Sequence, residues 1–204
     1  LRLNILSSFN RLFETLKKRY DFVILDLNPS SSVLNQLIIC SSDFLIMPLT
    51  LDIYCEFSVN FVFKNIALWK KRFNQYFIEN KKNNIGDVKI KGVSFNMFKM
   101  NNGKLYPTFQ SKYDKILRQI IDICNLDEGK NIYIRKYNQK TDIVLGKIRQ
   151  FDQLISIHNE RGIPIWEITE DILREFDISS LQNYSDQIIL YEKEFSIFCN
   201  NVFK

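Results

Sequence analysis

The apolar positions of the chain repeat in two alternating rhythms. Ile5, Phe9, Leu12, Phe13 and Leu16 recur at helical spacing, which predicts a helix over 4–18. Lys17, Lys18 and Arg19 suit its C-terminal end, where the helix dipole is negative. The run FVILDL at 22–27 does not alternate, so it predicts a strand buried on both faces. SSVLNQLIICS (31–41) predicts a helix with a serine cap, and DFLIMPLT (43–50) a second buried strand closed by Pro48. A long helix is predicted over 53–79, ending in the basic turn ENKKNN. VKIKGVSFNMF (88–98) predicts a third strand. Ile116, Leu117, Ile120, Ile121 and Cys124 make the inner stripe of a helix over 109–124. NIYIRKY (131–137) predicts a fourth, shorter strand, 142–159 a mixed helical stretch, and GIPIWEI (162–168) a turn into an extended segment. The last helix is predicted from about Ser180 to Phe203.

Strands alternating with helices imply βαβ units, right-handed crossovers and a parallel sheet covered by helices on both faces. The 204 residues suit one domain with a helical extension, with the boundary expected near 170: an α/β domain over 1–170 and a helical extension over 171–204.

Composition narrows the function classes. An apolar content of 46% is that of a packed globule, and a net charge of +5 permits anion or nucleic-acid binding without requiring it. Cys40, Cys55, Cys124 and Cys199 are scattered, with no CxxC and a single histidine, His158. That excludes a zinc-ribbon pattern and a disulfide framework, and favours free buried thiols. No apolar run approaches the ~20 residues a membrane span needs. The first residue is not methionine, so the chain is expected to start inside a longer protein.

The chemistry concentrates at YDFVILDLNPSSS, Tyr20 to Ser32. A carboxylate at the carboxyl end of a parallel strand is where phosphate-binding proteins place the acid that holds Mg²⁺, and also where a turn or cap aspartate sits. The neighbouring residues separate these two. Tyr20-Asp21, Asp26, Pro29, Ser30, Ser42-Asp43 and Pro48 follow the order of the Walker B and switch region of the ParA/MinD family of deviant P-loop ATPases, which this stretch resembles. Asn28 stands where many members have proline. IKGVSFNMF and the segment from Asn131 to Ile168 are similar to later family segments.

That resemblance implies a P-loop NTPase-like α/β fold, ATP and Mg²⁺ as cofactors, and Asp26 as the metal-side carboxylate acting through water. It places Asn28, Pro29 and Ser30 in the switch loop, and Asn96 near the nucleotide base or, equally, as a turn cap. It also implies an ATP-bound homodimer, nonspecific DNA, a ParB-like centromere-binding partner, no membrane anchor, and a cytoplasmic, nucleoid-associated location. The last helix pairs Glu192 and Glu194 with Lys193 and Lys204, so it lacks the basic face that anionic lipids attract.

The phosphate cradle is missing. Gly103-Lys104, Gly129-Lys130 and Gly146-Lys147 are the Gly-Lys pairs, and five positions before these glycines stand Phe98, Cys124 and Thr141. The expected sheet therefore lacks its first and central strand and the P-loop, no catalytic residue lies in this chain, and residues 1–204 alone are expected to expose apolar faces, aggregate and leave ATP unhydrolysed.

Arg135, Lys136, Lys140, Lys147 and Arg149 are the candidate DNA-binding cluster, or else a solvated face. Tyr133 and Tyr137 flank Arg135 and suit strand packing better than base stacking. Lys64, Lys70, Lys71, Arg72, Lys81 and Lys82 read as the wet side of the long helix. Two functions remain: a ParA-like partition ATPase present as its Walker B and C-terminal portion, or a catalytically inactive paralogue that keeps dimerisation and DNA-binding surfaces. A ParA-like protein that positions other cargo is a third.

Overall fold

The structure, a computed structural model, describes residues 2–28, 30, 32–79, 87–98, 100–101, 104–125, 143–178 and 181–203. Helix α1 spans Arg2–Lys17, α2 Val33–Ser41, strand β1 Phe44–Leu49 and helix α3 Ile53–Glu79. Strand β2 follows at Lys89–Phe98, then a two-stranded hairpin of β3 (Met100–Asn101) and β4 (Lys104–Leu105), and helix α4 at Pro107–Asn125. Strand β5 is Val144–Arg149, helix α5 Asp152–Arg161, a short 3₁₀ turn Ile165–Glu167, α6 Glu170–Glu175 and the terminal helix α7 Leu181–Val202. β1, β2 and β5 form a three-stranded parallel sheet in that order, flanked by helices, so the α/β class expected from the alternating rhythm is the one adopted.

The structure departs from three expectations. Residues 22–27 form no strand, and the stretch is exposed: Ile24 is 80% accessible and Phe22 63%. A doubly apolar strand is stable only when neighbours pair its backbone and cover both faces, and the described sheet of β1, β2 and β5 does not include this segment. Residues 144–149, expected in a helical stretch, are β5. Val144, Leu145 and Ile148 mimic helical spacing, but pairing with Val93, Ser94, Phe95 and Asn96 of β2 overrides the local pattern. The GIPIWEI segment, expected as a turn into an extended segment, forms the 3₁₀ turn at Ile165–Glu167 where the extended part was expected. The strand expected at 131–137 lies outside the described residues.

The chain divides into two compact units, whose boundaries cut β1, α3, β2 and α4. In the first (Leu1–Ile46, Glu56–Lys91, Leu117–Lys136), α1 packs on α2, and Leu37, Cys40, Val59, Phe63, Ile66, Val88, Ile90 and Ile120 are buried. Burial pushes the Cys40 thiol up to about 12, against a smaller opposing pull from Lys70, so it packs as an inert small hydrophobe. Asp87 is gripped by Lys70 of α3 and, at 2.8 Å, by Lys89 at the start of β2. Partial burial raises its carboxyl, but the hydrogen bonds and charges of the two lysines outweigh this and hold it below the usual range.

In the second unit (Met47–Cys55, Gly92–Ile116, Tyr137–Lys204), Phe151, Leu154, Ile157, Ile165, Ile168 and Leu173 form one buried cluster. Tyr184, Ile188 and Tyr191 of α7 pack against it. α7 also services β5, the last strand of the sheet. Asn201 Nδ2 donates to the Leu145 carbonyl at 2.9 Å, and Glu194 Oε2 accepts the Arg149 amide at 3.0 Å. Side chains of a helix thus satisfy backbone groups that an edge strand leaves open to other chains. The close approach needs Gly146: a Cβ there would lie 2.7 Å from Cβ of Phe198. α5 stops at Gly162, which takes the left-handed conformation (φ 64°), and His158 Nδ1 meets the Ile163 carbonyl across that turn at 2.5 Å.

Gly146→Val is expected to force α7 off β5, at a cost of about 1–3 kcal/mol, read as a lowered Tm and raised hydrogen exchange at Leu145 and Arg149. Because its folded pKa is depressed, Asp87 contributes stability above the unfolded carboxyl value of roughly 4, and this is lost as pH falls through the folded pKa. Denaturant titrations should show that loss in the wild type and not in Asp87→Asn; the pair is partly exposed, so the effect stays below about 1 kcal/mol.

Candidate functional site

The polar loop after the apolar stretch is built by one buried amide. Ser32 caps α2, its hydroxyl accepting the Asn35 amide at 3.2 Å. That places Asn35, 6% exposed, on the first turn of α2, facing back into the loop. Its Nδ2 donates to the Asn28 carbonyl at 2.8 Å, to Asn28 Oδ1 at 2.9 Å, to the Ser30 carbonyl at 2.9 Å and to Ser30 Oγ at 3.1 Å. The Ser30 amide closes on the Asn28 carbonyl at 2.7 Å. The loop is therefore tied to a helix.

Asp26 sits exposed at the end of that segment, two residues before the anchored loop. Asn28 and Ser30 are exposed within the loop, and Pro29 lies outside the described residues. The anchor itself, Asn35, gave no motif signal. An asparagine interrupting the apolar run VLNQLIIC was the available hint, since a buried amide must be paired.

A second polar knot closes the carboxyl end of β1. Asp52 caps α3, accepting the Cys55 amide at 2.8 Å and the Thr50 hydroxyl proton. The Thr50 hydroxyl, then the Cys55 amide, hold the Asp52 carboxyl below its ordinary value against a small effect of burial. The Thr50 amide also donates to Cys55 Sγ at 3.2 Å. In β2, Asn96 pairs in register with Ile148, and its Oδ1 is buried with no hydrogen-bond partner among the described residues.

Only part of the basic cluster lies among the described residues. Arg135, Lys136 and Lys140 lie outside the described residues. Lys147 is exposed, its ammonium 4.3 Å from the centre of the Tyr113 ring. Arg149 is committed to Glu194, with Nε at 2.8 Å and the terminal nitrogen at 2.6 Å from Oε1. Among the described residues no three His, Cys, Asp or Glu side chains come together as a metal cluster, and no helix is long and apolar enough to cross a membrane.

Residues 3–78 match the family model of an AAA domain, a domain of the ParA/MinD-type P-loop ATPase group. The match covers Asp26, the anchored loop, α2, β1 and nearly all of α3. No curated protein and no solved structure matches the chain.

Asn35→Leu is expected to free the loop while keeping the helix. Ser30 should lose amide protection and the loop should be cut faster by protease, with a stability loss of about 1–3 kcal/mol. Unchanged protection of Ser30 would show that the loop is held by something else.

Proposed function

We propose that the chain carries the metal-side portion of a ParA-like partition ATPase. The observation that supports this most is the match over residues 3–78 to an ATPase domain, coinciding with an exposed carboxylate two residues before a helix-anchored polar loop. Asp26 fits a carboxylate that holds Mg²⁺ through water, and the loop of Asn28, Pro29 and Ser30 fits a sensor of the γ-phosphate. The orphaned Oδ1 of Asn96 suits an acceptor for the exocyclic amine of a nucleotide base. Mg²⁺, when bound, neutralises phosphate charge; the work of these side chains is to position it and to register the phosphate through the loop.

The described residues do not fit a complete Mg-nucleotide site. They offer a carboxylate and a loop but no glycine-rich cradle of amides with its lysine, so in this proposal the phosphates are held by residues outside 1–204. DNA contact falls to Arg135, Lys136, Lys140 and Lys147. Arg149, already neutralised by Glu194, contributes little there.

The test is ATP turnover by the protein as its gene encodes it. Asp26→Asn should lower kcat by about a hundredfold or more while nucleotide still binds. Equal turnover in the variant would remove Asp26 from the site. In the same protein, a salt-sensitive shift of nonspecific DNA should disappear in Arg135→Glu with Lys136→Glu. No shift at low salt with ATP present would exclude partition and leave a nucleotide-dependent protein with other cargo.

A further inference from the structure

The outer side of α3 carries an apolar seam that the unit containing it does not cover. Phe57, Phe61 and Leu68 are 66%, 48% and 61% exposed. With Lys64 and Lys71 they fall at spacings of four, three, four and three residues, the rhythm of a helix seam made to meet a second helix. The seam is preorganised: Phe61 packs edge-on against the buried Trp69, with ring centres 6.1 Å apart, so its ring is already braced. An exposed stripe of this size on one helix marks a contact surface.

Its charges say what fits. Lys64 and Lys71 sit in the seam and Arg72 beside it; all three are exposed, and none makes an ion pair with a described residue. Lys70, by contrast, points to Asp87. Glu56, the acid at the first turn of α3, accepts a hydrogen bond from Gln119 at 3.1 Å. A second copy is a poor occupant, because a parallel pair, or an antiparallel pair overlaying the whole seam, sets Lys64 against Lys64. We infer that α3 docks an amphipathic helix of another protein, one whose apolar seam is interrupted by acidic residues opposite Lys64 and Lys71. Phe57, Phe61 and Leu68 supply the apolar contact, and the lysines select the partner by charge. This inference is independent of the nucleotide proposal, since it uses neither Asp26 nor the loop.

The probe is a labelled synthetic helix about three heptads long, with leucines in its seam and glutamates at the two positions facing the lysines. Fluorescence anisotropy with the full chain, at concentrations where sedimentation shows a monomer, should report binding that weakens as salt rises. A peptide with lysines in place of the glutamates should bind about tenfold more weakly or worse. Phe57→Ser with Phe61→Ser should abolish binding, and Phe57→Ser alone, which leaves the Phe61–Trp69 contact in place, should weaken it at unchanged Tm. Lys64→Glu with Lys71→Glu should reverse the preference between the two peptides, a result that loss of folding cannot imitate. Equal binding of both peptides, no binding of either, or a dimer of the chain that Phe57→Ser dissolves would each overturn the proposal.

Discussion

A sheet must satisfy its backbone on both sides of every strand, and that constraint organises this chain. β2 meets it by lying between β1 and β5. β5 is a terminal strand, and there the constraint is met from outside the sheet: Asn201 and Glu194 on α7 supply an amide and a carboxylate to its backbone. Gly146 is the concession that lets the helix come close enough, with Phe198 occupying the space a side chain would take. Where the constraint is not met, order in the sheet stops. The segment 22–27 has a strand-like apolar run, yet it joins no strand of the described sheet and remains irregular and exposed.

The contrast explains which parts of the fold were legible in the sequence. α3 was bounded correctly at 53–79 because its apolar rhythm and its Asn-rich end are both local. The serine cap of α2 was legible for the same reason. The stretch 22–27 and β5 were misassigned in opposite directions, and for one cause. Strand identity is decided by a partner distant in sequence, so an ideal strand sequence without a partner stays coil, while a helix-like apolar spacing beside β2 becomes strand. The site divides likewise. Asp26 and the loop could be located from residue order, but Asn35 could not, because its role exists only once α2 folds and turns its amide toward Asn28 and Ser30. The engagement of Arg149 by Glu194 across 45 residues of sequence was equally invisible to charge counting.

This engagement matters for how charge is used. The net charge of +5 suggested a basic surface, but the cations are spent in different ways. Lys70 and Lys89 fasten Asp87, Arg149 fastens α7 to β5, Arg161 pairs with Glu175, and Lys17 reaches Asp43 at 2.7 Å. Pairs within the fold contribute little field at a distance, so the remaining positive field comes from exposed cations outside such pairs, among them Lys64, Lys71, Arg72 and Lys147.

The two exposed apolar surfaces of the first unit are chemically unlike each other. The segment from Phe22 to Leu25 is irregular, exposed and bracketed by Asp21 and Asp26. The seam on α3 has every backbone bond closed within the helix and is bracketed by Lys64, Lys71 and Arg72. A sheet neighbour that buried the first would not recognise the second, and an acidic helix suited to the second would be repelled by the aspartates of the first. On this chemistry, burying the first surface and recruiting a helical partner to the second are separable events, governed by opposite charges.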